Sequence, residues 1–186
     1  MENMKGTSMT DLKKTRDEPI EQLFDILDDT HAIMVGLDQA GHPMQPMAPQ
    51  VDEDRRGIWF YTKRDSAMGS AIKAYPSSRA RICLIGPDHD YHASISGTMS
   101  AETDTSLIDK FWSSVVGAWF EHGKQDPNLL LLRFDPSEAD IWASSGSVVR
   151  FAWEIAMANL SGDEPDLGET AHVIFPLALR ESRETA

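Results

Sequence analysis

Cysteine is nearly absent: Cys83 is the single one among 186 residues, so an intrachain disulfide cannot form and a structural thiolate cluster for zinc has no members. A reducing, cytoplasmic setting is the expectation. Basic residues are also few, 17 Lys and Arg against 30 Asp and Glu, for a formal charge of −13. That balance argues against a dedicated binder of nucleic acid or of an anionic membrane. No apolar run approaches the length of a membrane span, and the polar stretch Met1 to Asp17 has no apolar core ahead of a small-residue cleavage site. A soluble, non-exported protein is therefore expected. Repeats and strongly low-complexity segments are missing too. What remains, 41% hydrophobic and 25% charged, suits one globular domain with a sizeable core.

The chain divides readily. Residues 1–17 alternate in charge at Lys13, Lys14, Arg16 and Asp17 with little to bury, and read as a frayed leader. Pro19 followed by Ile20, Leu23, Phe24, Ile26 and Leu27 predicts a short amphipathic helix. His31 to Leu37, a turn at Asp38 to Gly41, and an extended run from Pro43 to Val51 predict a hairpin whose prolines demand an edge or irregular strand. Gly57 to Thr62 is an aromatic strand leading into a helix over Ser66 to Ala74, with Ser66 or Asp65 as its N-cap. Arg79 to Ile85 and Tyr91 to Met99 are strands joined by the turn at Gly86-Pro87-Asp88. From Asp104 the positions Leu107, Ile108, Phe111, Trp112, Val115, Val116, Trp119 and Phe120 predict a single helix stopped by Gly123. Two strands, Leu129 to Phe134 and Ala139 to Trp142, flank a turn at Asp135-Pro136, and a helix over Ser147 to Ala158 precedes an acidic tail. The order gives an α+β domain built on an antiparallel sheet or barrel.

Chemistry concentrates in one window. From Arg55 to Arg81 there are seven basic residues, Arg55, Arg56, Lys63, Arg64, Lys73, Arg79 and Arg81, against one acid, Asp65. Within it Thr62-Lys63-Arg64-Asp65-Ser66 joins a strand to a helix start, where free backbone N–H groups, hydroxyls and a cation together suit a phosphate monoester. A solvated basic turn that offsets the acidic surface is the plainer alternative. Trp59, Phe60 and Tyr61, with Trp112, Trp119 and Trp142 elsewhere, supply aromatic faces for a planar heterocycle or simply fill the core. A phosphate cradle beside an aromatic strand points to a phosphorylated planar cofactor such as a flavin or pyridoxal compound. His89 and His92, with Asp88 and Asp90, straddle a turn and a strand start where surface histidines are ordinary, and no metal is assigned to them. Gly123 to Pro127 is not a Walker A loop, and no serine nucleophile elbow is present.

Several segments taken together resemble one known group. They are Ile-Trp-Phe-Tyr-Thr-Lys-Arg-Asp-Ser at 58–66, Ala-Ser-Ile-Ser-Gly at 93–97, Trp112, Ala-Trp-Phe-Glu-His-Gly-Lys-Gln-Asp-Pro at 118–127, Leu-Leu-Arg-Phe-Asp-Pro, and Ala-Asp-Ile-Trp at 139–142. The set resembles the FMN-binding split β-barrel proteins related to pyridoxamine 5'-phosphate oxidase, specifically the general stress protein 26 group, in consistent order from residue 20 to residue 145. The resemblance implies an antiparallel split β-barrel with flanking helices, mainly β, over 18–145, with 146–186 packing on the barrel or the dimer. It further implies a homodimer with one flavin at each end of the subunit interface. By position Gln45, Pro46 and Met47 stand where the family has an Arg-Pro-Met segment along the flavin. Tyr61, Thr62, Lys63, Arg64 and Ser66 stand on the phosphate side, with Arg64 as the main cation, and Trp112 or Trp119 reaches across from the partner.

Two departures stand out. Gln45 replaces an arginine, and Met68 occupies a place where many members put a lysine on the FMN phosphate. Each lost charge-assisted hydrogen bond costs about 1.5–3 kcal/mol, which lowers FMN affinity or shifts the preference toward FAD. The arginines that hold the substrate phosphate in true oxidases have no located counterpart, so that activity does not carry over. The implied function is a flavin-binding stress protein with flavin redox chemistry fed by a nicotinamide or another donor. The alternative is a flavin or phosphorylated-heterocycle carrier or sensor without turnover.

Overall fold

The computed structural model describes residues 10–38, 41, 43–52, 57–144 and 168–176. Helix α2 (Pro19–Asp29) opens with Pro19, whose missing N–H costs nothing in a first turn, and buries Leu23, Phe24, Ile26 and Leu27 along one face. Ahead of it, Leu12–Asp17 forms helix α1, so the expected leader is ordered over its last six residues. The cause is local: the Asp11 carboxylate caps the helix by accepting from the Lys13 and Lys14 N–H groups. Thr15, fully buried, then donates to Gln22 Oε1 at 2.6 Å, which locks α1 to α2.

The strands are β1 (Ile33–Leu37), β2 (Gln45–Met47), β3 (Gln50–Asp52), β4 (Gly57–Lys63), β5 (Ser77–Ile85), β6 (Tyr91–Ala101), β7 (Leu129–Ser144) and β8 (Gly168–Ile174). They form one antiparallel sheet in the order β2-β1-β5-β6-β7-β4-β3, with β8 added to β7. The two ends of this order are consecutive in the chain, separated only by Ala48 and Pro49. The sheet therefore curls until its edges meet, and the fold is an antiparallel split β-barrel with flanking helices. The run expected as one extended strand from Pro43 to Val51 divides at this point: β2 pairs with β1 and β3 pairs with β4. Pro46 and Pro49 offer no N–H to a continuous ladder, which makes the change of partner inexpensive.

A second difference concerns β7. Asp135-Pro136 does not end a strand; β7 runs unbroken for 16 residues. The proline is absorbed by a bulge, because Ser96 faces Glu138 while Gly97 faces Pro136, leaving Ser137 as the extra residue. Ser137 uses its hydroxyl to donate to the Ser96 carbonyl at 2.9 Å. Gly97 is required there, since a Cβ would stand 2.3 Å from the Asp135 carbonyl oxygen. Before the bulge β7 pairs with β4, and after it with β8. The strand β8 lies in the segment that reads as a tail, and α1 packs on it.

The single helix expected from Asp104 is instead α4 (Ser106–Phe111) and α5 (Ser114–Gly117), followed by a 3-10 turn at Gly123–Gln125. Trp112 leaves the helix with extended backbone, and Ser113 caps α5 by accepting from the Val116 N–H at 3.2 Å. The break serves two clusters: α4 covers Trp59 and Leu131 with Leu107, and α5 brings Val116 and Phe120 onto Leu129. The main core lies inside the barrel around Phe24, Phe60, Ile82, Ile95, Leu132 and Phe134, each buried side chain of this size contributing about 1.5–3 kcal/mol. No helix among the described residues is long and apolar enough to cross a membrane. The expected helix over 147–158 lies outside the described residues.

Candidate functional site

Where β4 ends, the chain is pinned from both sides. Arg64 N–H donates to the Asn128 carbonyl at 2.8 Å, Asp65 N–H to Asn128 Oδ1 at 3.2 Å, and Ser66 N–H back to the Lys63 carbonyl at 3.1 Å. Ser66 is the N-cap of helix α3 (Ala67–Ala74), its Oγ accepting from the Gly69 N–H at 3.0 Å while donating to the Lys63 carbonyl at 2.7 Å. Thr62 Oγ1 lies 3.0 Å from Ser66 Oγ. Gly69 lets the helix close down on this loop, for a Cβ there would stand 2.3 Å from the Lys63 carbonyl oxygen. The strand end and helix start are thus one rigid corner.

That corner forms one end of a cleft of about 560 Å³. A second wall is the crossing from β2 to β3, with Gln45, Pro46, Met47, Ala48 and Gln50, and a third is the α5 segment, with Val115, Val116, Trp119 and Phe120. Of the residues singled out from sequence, Gln45, Pro46, Met47, Tyr61, Thr62, Lys63, Ser66 and Trp119 line this cleft. Three do not. Met68 is buried in the main core, because it lies one helical turn from Ile72 and both face inward. Arg64 is exposed on the loop outside the cleft wall. Trp112 packs behind it, edge-on to Tyr61 at 6.0 Å and tilted against Phe120 at 6.1 Å. The sequence did not point to Ala48, Gln50, Asp65, Val115, Val116 and Phe120 as cleft residues, the last three because one continuous helix would have turned the stripe inward.

The polar end carries one cation, Lys63, and one carboxylate, Asp65. The basic window is dispersed in space: Lys73 closes α3, Arg79 lies 3.9 Å from Asp38, and Arg81 is exposed on β5. Arg55 and Arg56 lie outside the described residues. Tyr61 donates its hydroxyl to the Ile108 carbonyl at 2.8 Å. Its burial, helped by the nearby Asp109 carboxylate, pushes the phenol up to about 12. Lys110 ties α4 to β3 through Asp52 at 2.7 Å, holding the wall that carries Tyr61's partner.

The family model for pyridoxamine 5'-phosphate oxidase like proteins matches residues 18–166. This chain belongs to that family. Within the pyridoxamine 5'-phosphate oxidase like proteins it is similar to General stress protein 26 of Bacillus subtilis (strain 168), 26% identical over 122 residues that cover 63% of this chain and 84% of the relative. A solved structure of a general stress protein 26 candidate from Jannaschia sp. CCS1 is 33% identical, covers 85% of this chain and 99% of its own, and superimposes with a TM-score of 0.74. A general stress FMN/FAD binding protein from Xanthomonas citri is 35% identical over 66% of this chain and 87% of its own, with a TM-score of 0.59. The split barrel read from the strand order is the fold that these family members share.

Proposed function

We propose that this chain is a flavin-binding general stress protein that takes FMN, or FAD, in the cleft between the β2–β3 crossing, the β4–α3 corner and α5. The observation that carries the reading is the cleft's division into an apolar side, Met47, Val116, Trp119 and Phe120, and a polar end, Thr62, Lys63 and Ser66. An aromatic ring with a polar tail needs that arrangement, and the volume falls within the range of pockets that bury small cofactors. The Xanthomonas citri relative, an FMN/FAD binding protein by description, supports it. In this reading Pro46, Met47 and Trp119 hold the ring, Thr62, Lys63 and Ser66 face the tail, and bound flavin supplies two-electron redox chemistry. A homodimer is part of the proposal: Val115 and Trp119, 72% and 71% exposed at the cleft rim, are apolar area for a second copy to cover. So is a cytoplasmic location, from the near-absence of cysteine.

Two outcomes of flavin binding are open to the site. The oxidoreductase reading takes electrons from a nicotinamide donor. The carrier or sensor reading takes the same bound flavin without turnover. Anaerobic mixing of the flavin-loaded protein with NADH or NADPH separates them. Bleaching of the flavin absorption supports the oxidoreductase; flavin that stays bound and oxidised supports the carrier. A protein that retains no flavin refutes both. Light scattering near twice 20.7 kDa supports the dimer, and a mass of a single chain sinks it.

A further inference from the structure

The β4–β7 ladder ends with Lys63 opposite Leu129. One residue further out, Asn128 stands beside the cleft rather than in its lining, and it accepts twice from the corner. Its carbonyl takes the Arg64 N–H at 2.8 Å, and its side-chain Oδ1 takes the Asp65 N–H at 3.2 Å. Asn128 is itself held. Its own N–H donates to Asp126 Oδ1 at 2.8 Å, and Asp126 Oδ2 accepts at 3.3 Å from the N–H of His122, two residues beyond Phe120 of the third wall. The Asp126 carboxyl is held below its usual range first by the Asn128 N–H, and the Lys63 ammonium adds to the effect. A short network therefore runs from the α5 wall through Asp126 and Asn128 to the loop that carries Lys63 and Ser66. Any residue at 128 could supply the carbonyl contact, whereas the contact to Asp65 needs this side chain.

From this we infer that Asn128 is a positioning residue for the polar end of the cleft: its side chain fixes residues 64 and 65, and through them the placing of Thr62, Lys63 and Ser66 against the tail of a bound flavin. The inference rests on the flavin reading and deepens it, giving a residue outside the cleft lining control of the loop that meets the ligand. The N–H groups of Arg64, Asp65 and Ser66 are spent within the corner. Those of Ala67 and Met68, the first two residues of α3, have no acceptor inside the helix, and where they point is set by the same loop.

The test is a titration of the purified protein with FMN and with riboflavin, followed by quenching of flavin fluorescence. Asn128→Ala, which removes the side-chain acceptor and keeps the carbonyl, weakens FMN binding by about three- to tenfold, the scale of one hydrogen bond. Riboflavin binding stays unchanged, because the residues that hold the ring lie on the other walls. Asn128→Asp keeps an acceptor for the Asp65 N–H and recovers the FMN affinity of wild type at the same high salt, where its added charge is screened. A role confined to stability would weaken the two ligands alike or not at all. If Asn128→Ala fails to fold by circular dichroism, Asn128→Ser, whose hydroxyl is one bond shorter, carries the comparison with the same expectation. An FMN-to-riboflavin ratio that stays flat, or an Asn128→Asp protein that binds FMN no better than Asn128→Ala at high salt, overturns the inference while leaving flavin binding in place. Wild-type protein that binds neither flavin overturns the flavin reading and the inference with it.

Discussion

Gly69→Ala sets two physical effects against each other at the corner on which the cleft depends. Gly69 is in the first turn of α3 and its backbone is not in the left-handed region, so alanine is conformationally permitted and helix propensity favours it by about 1 kcal/mol. Space opposes it. The new Cβ would stand 2.3 Å from the Lys63 carbonyl oxygen and 2.8 Å from that of Arg64, where ordinary contact begins at 3.4 Å. Both obstacles are backbone, pinned by the bonds from Ser66 to Lys63 and from Arg64 to Asn128, so the loop must move by about 1 Å or the helix must lift. Overpacking of this kind costs about 1–3 kcal/mol, and displacing the Ser66 cap costs about 0.5–2 kcal/mol more.

The costs exceed the propensity gain, and a net loss of about 1–3 kcal/mol is expected. Urea denaturation followed by far-UV circular dichroism measures it, with Ser70→Ala as the control, an exposed site in the same helix where alanine stabilises by a few tenths of a kcal/mol, about 0.5 at most. A Gly69→Ala protein as stable as wild type, or more stable, would show that propensity wins and that the corner is not closed as described.

Three other changes probe separate parts of the account. Tyr91 is fully buried and its hydroxyl has no hydrogen-bond partner among the described residues, so Tyr91→Phe is expected to be neutral or stabilising by about 1 kcal/mol; a loss of that size in a thermal melt would mean that the hydroxyl is satisfied. Trp119→Ala should weaken flavin binding by about 0.5–1.5 kcal/mol through the lost ring contact; an equal affinity in the titration refutes its place against the ring. The Asp126 carboxyl is held below its usual value first by the Asn128 N–H and also by the His122 N–H. A depressed folded value means that its contribution is present at neutral pH and lost as acid carries it through that value, so Asp126→Asn should flatten the acid limb of a stability-against-pH curve, and an unchanged limb contradicts this.

How much of this was legible in the sequence depended on whether the signal was local. The alternation in β5 and β6 and the Ser66 cap are short-range patterns, and the structure has them where the residues place them. The long β7 was not legible, because a proline in a strand ordinarily ends it, and the bulge that absorbs Pro136 depends on Gly97, distant in sequence and opposite in space. The strand β8 hides in an acidic stretch with a single buried position among its seven residues, too few for a clean alternation. The break at Trp112 was invisible because Val115, Val116, Trp119 and Phe120 continue a helical stripe, although Val116 and Phe120 serve a different cluster from Leu107 while Val115 and Trp119 stay exposed. In the cleft, adjacency to Lys63 and Ser66 brought Arg64 forward, and the family resemblance brought Met68. Side-chain direction separates them, since Met68 shares the inward face of α3 with Ile72 while Ser66 remains at the mouth.

Whether this cleft holds a flavin is read from a stoichiometric titration of FMN into the purified protein, followed by the visible flavin absorption. Saturation at one flavin per chain, with the shifted and sharpened bands of a ring taken out of water and with Trp119→Ala reducing the affinity, is the expected result. A spectrum that remains that of free flavin at every protein concentration, or binding that Trp119→Ala and Gly69→Ala both leave untouched, would contradict the account.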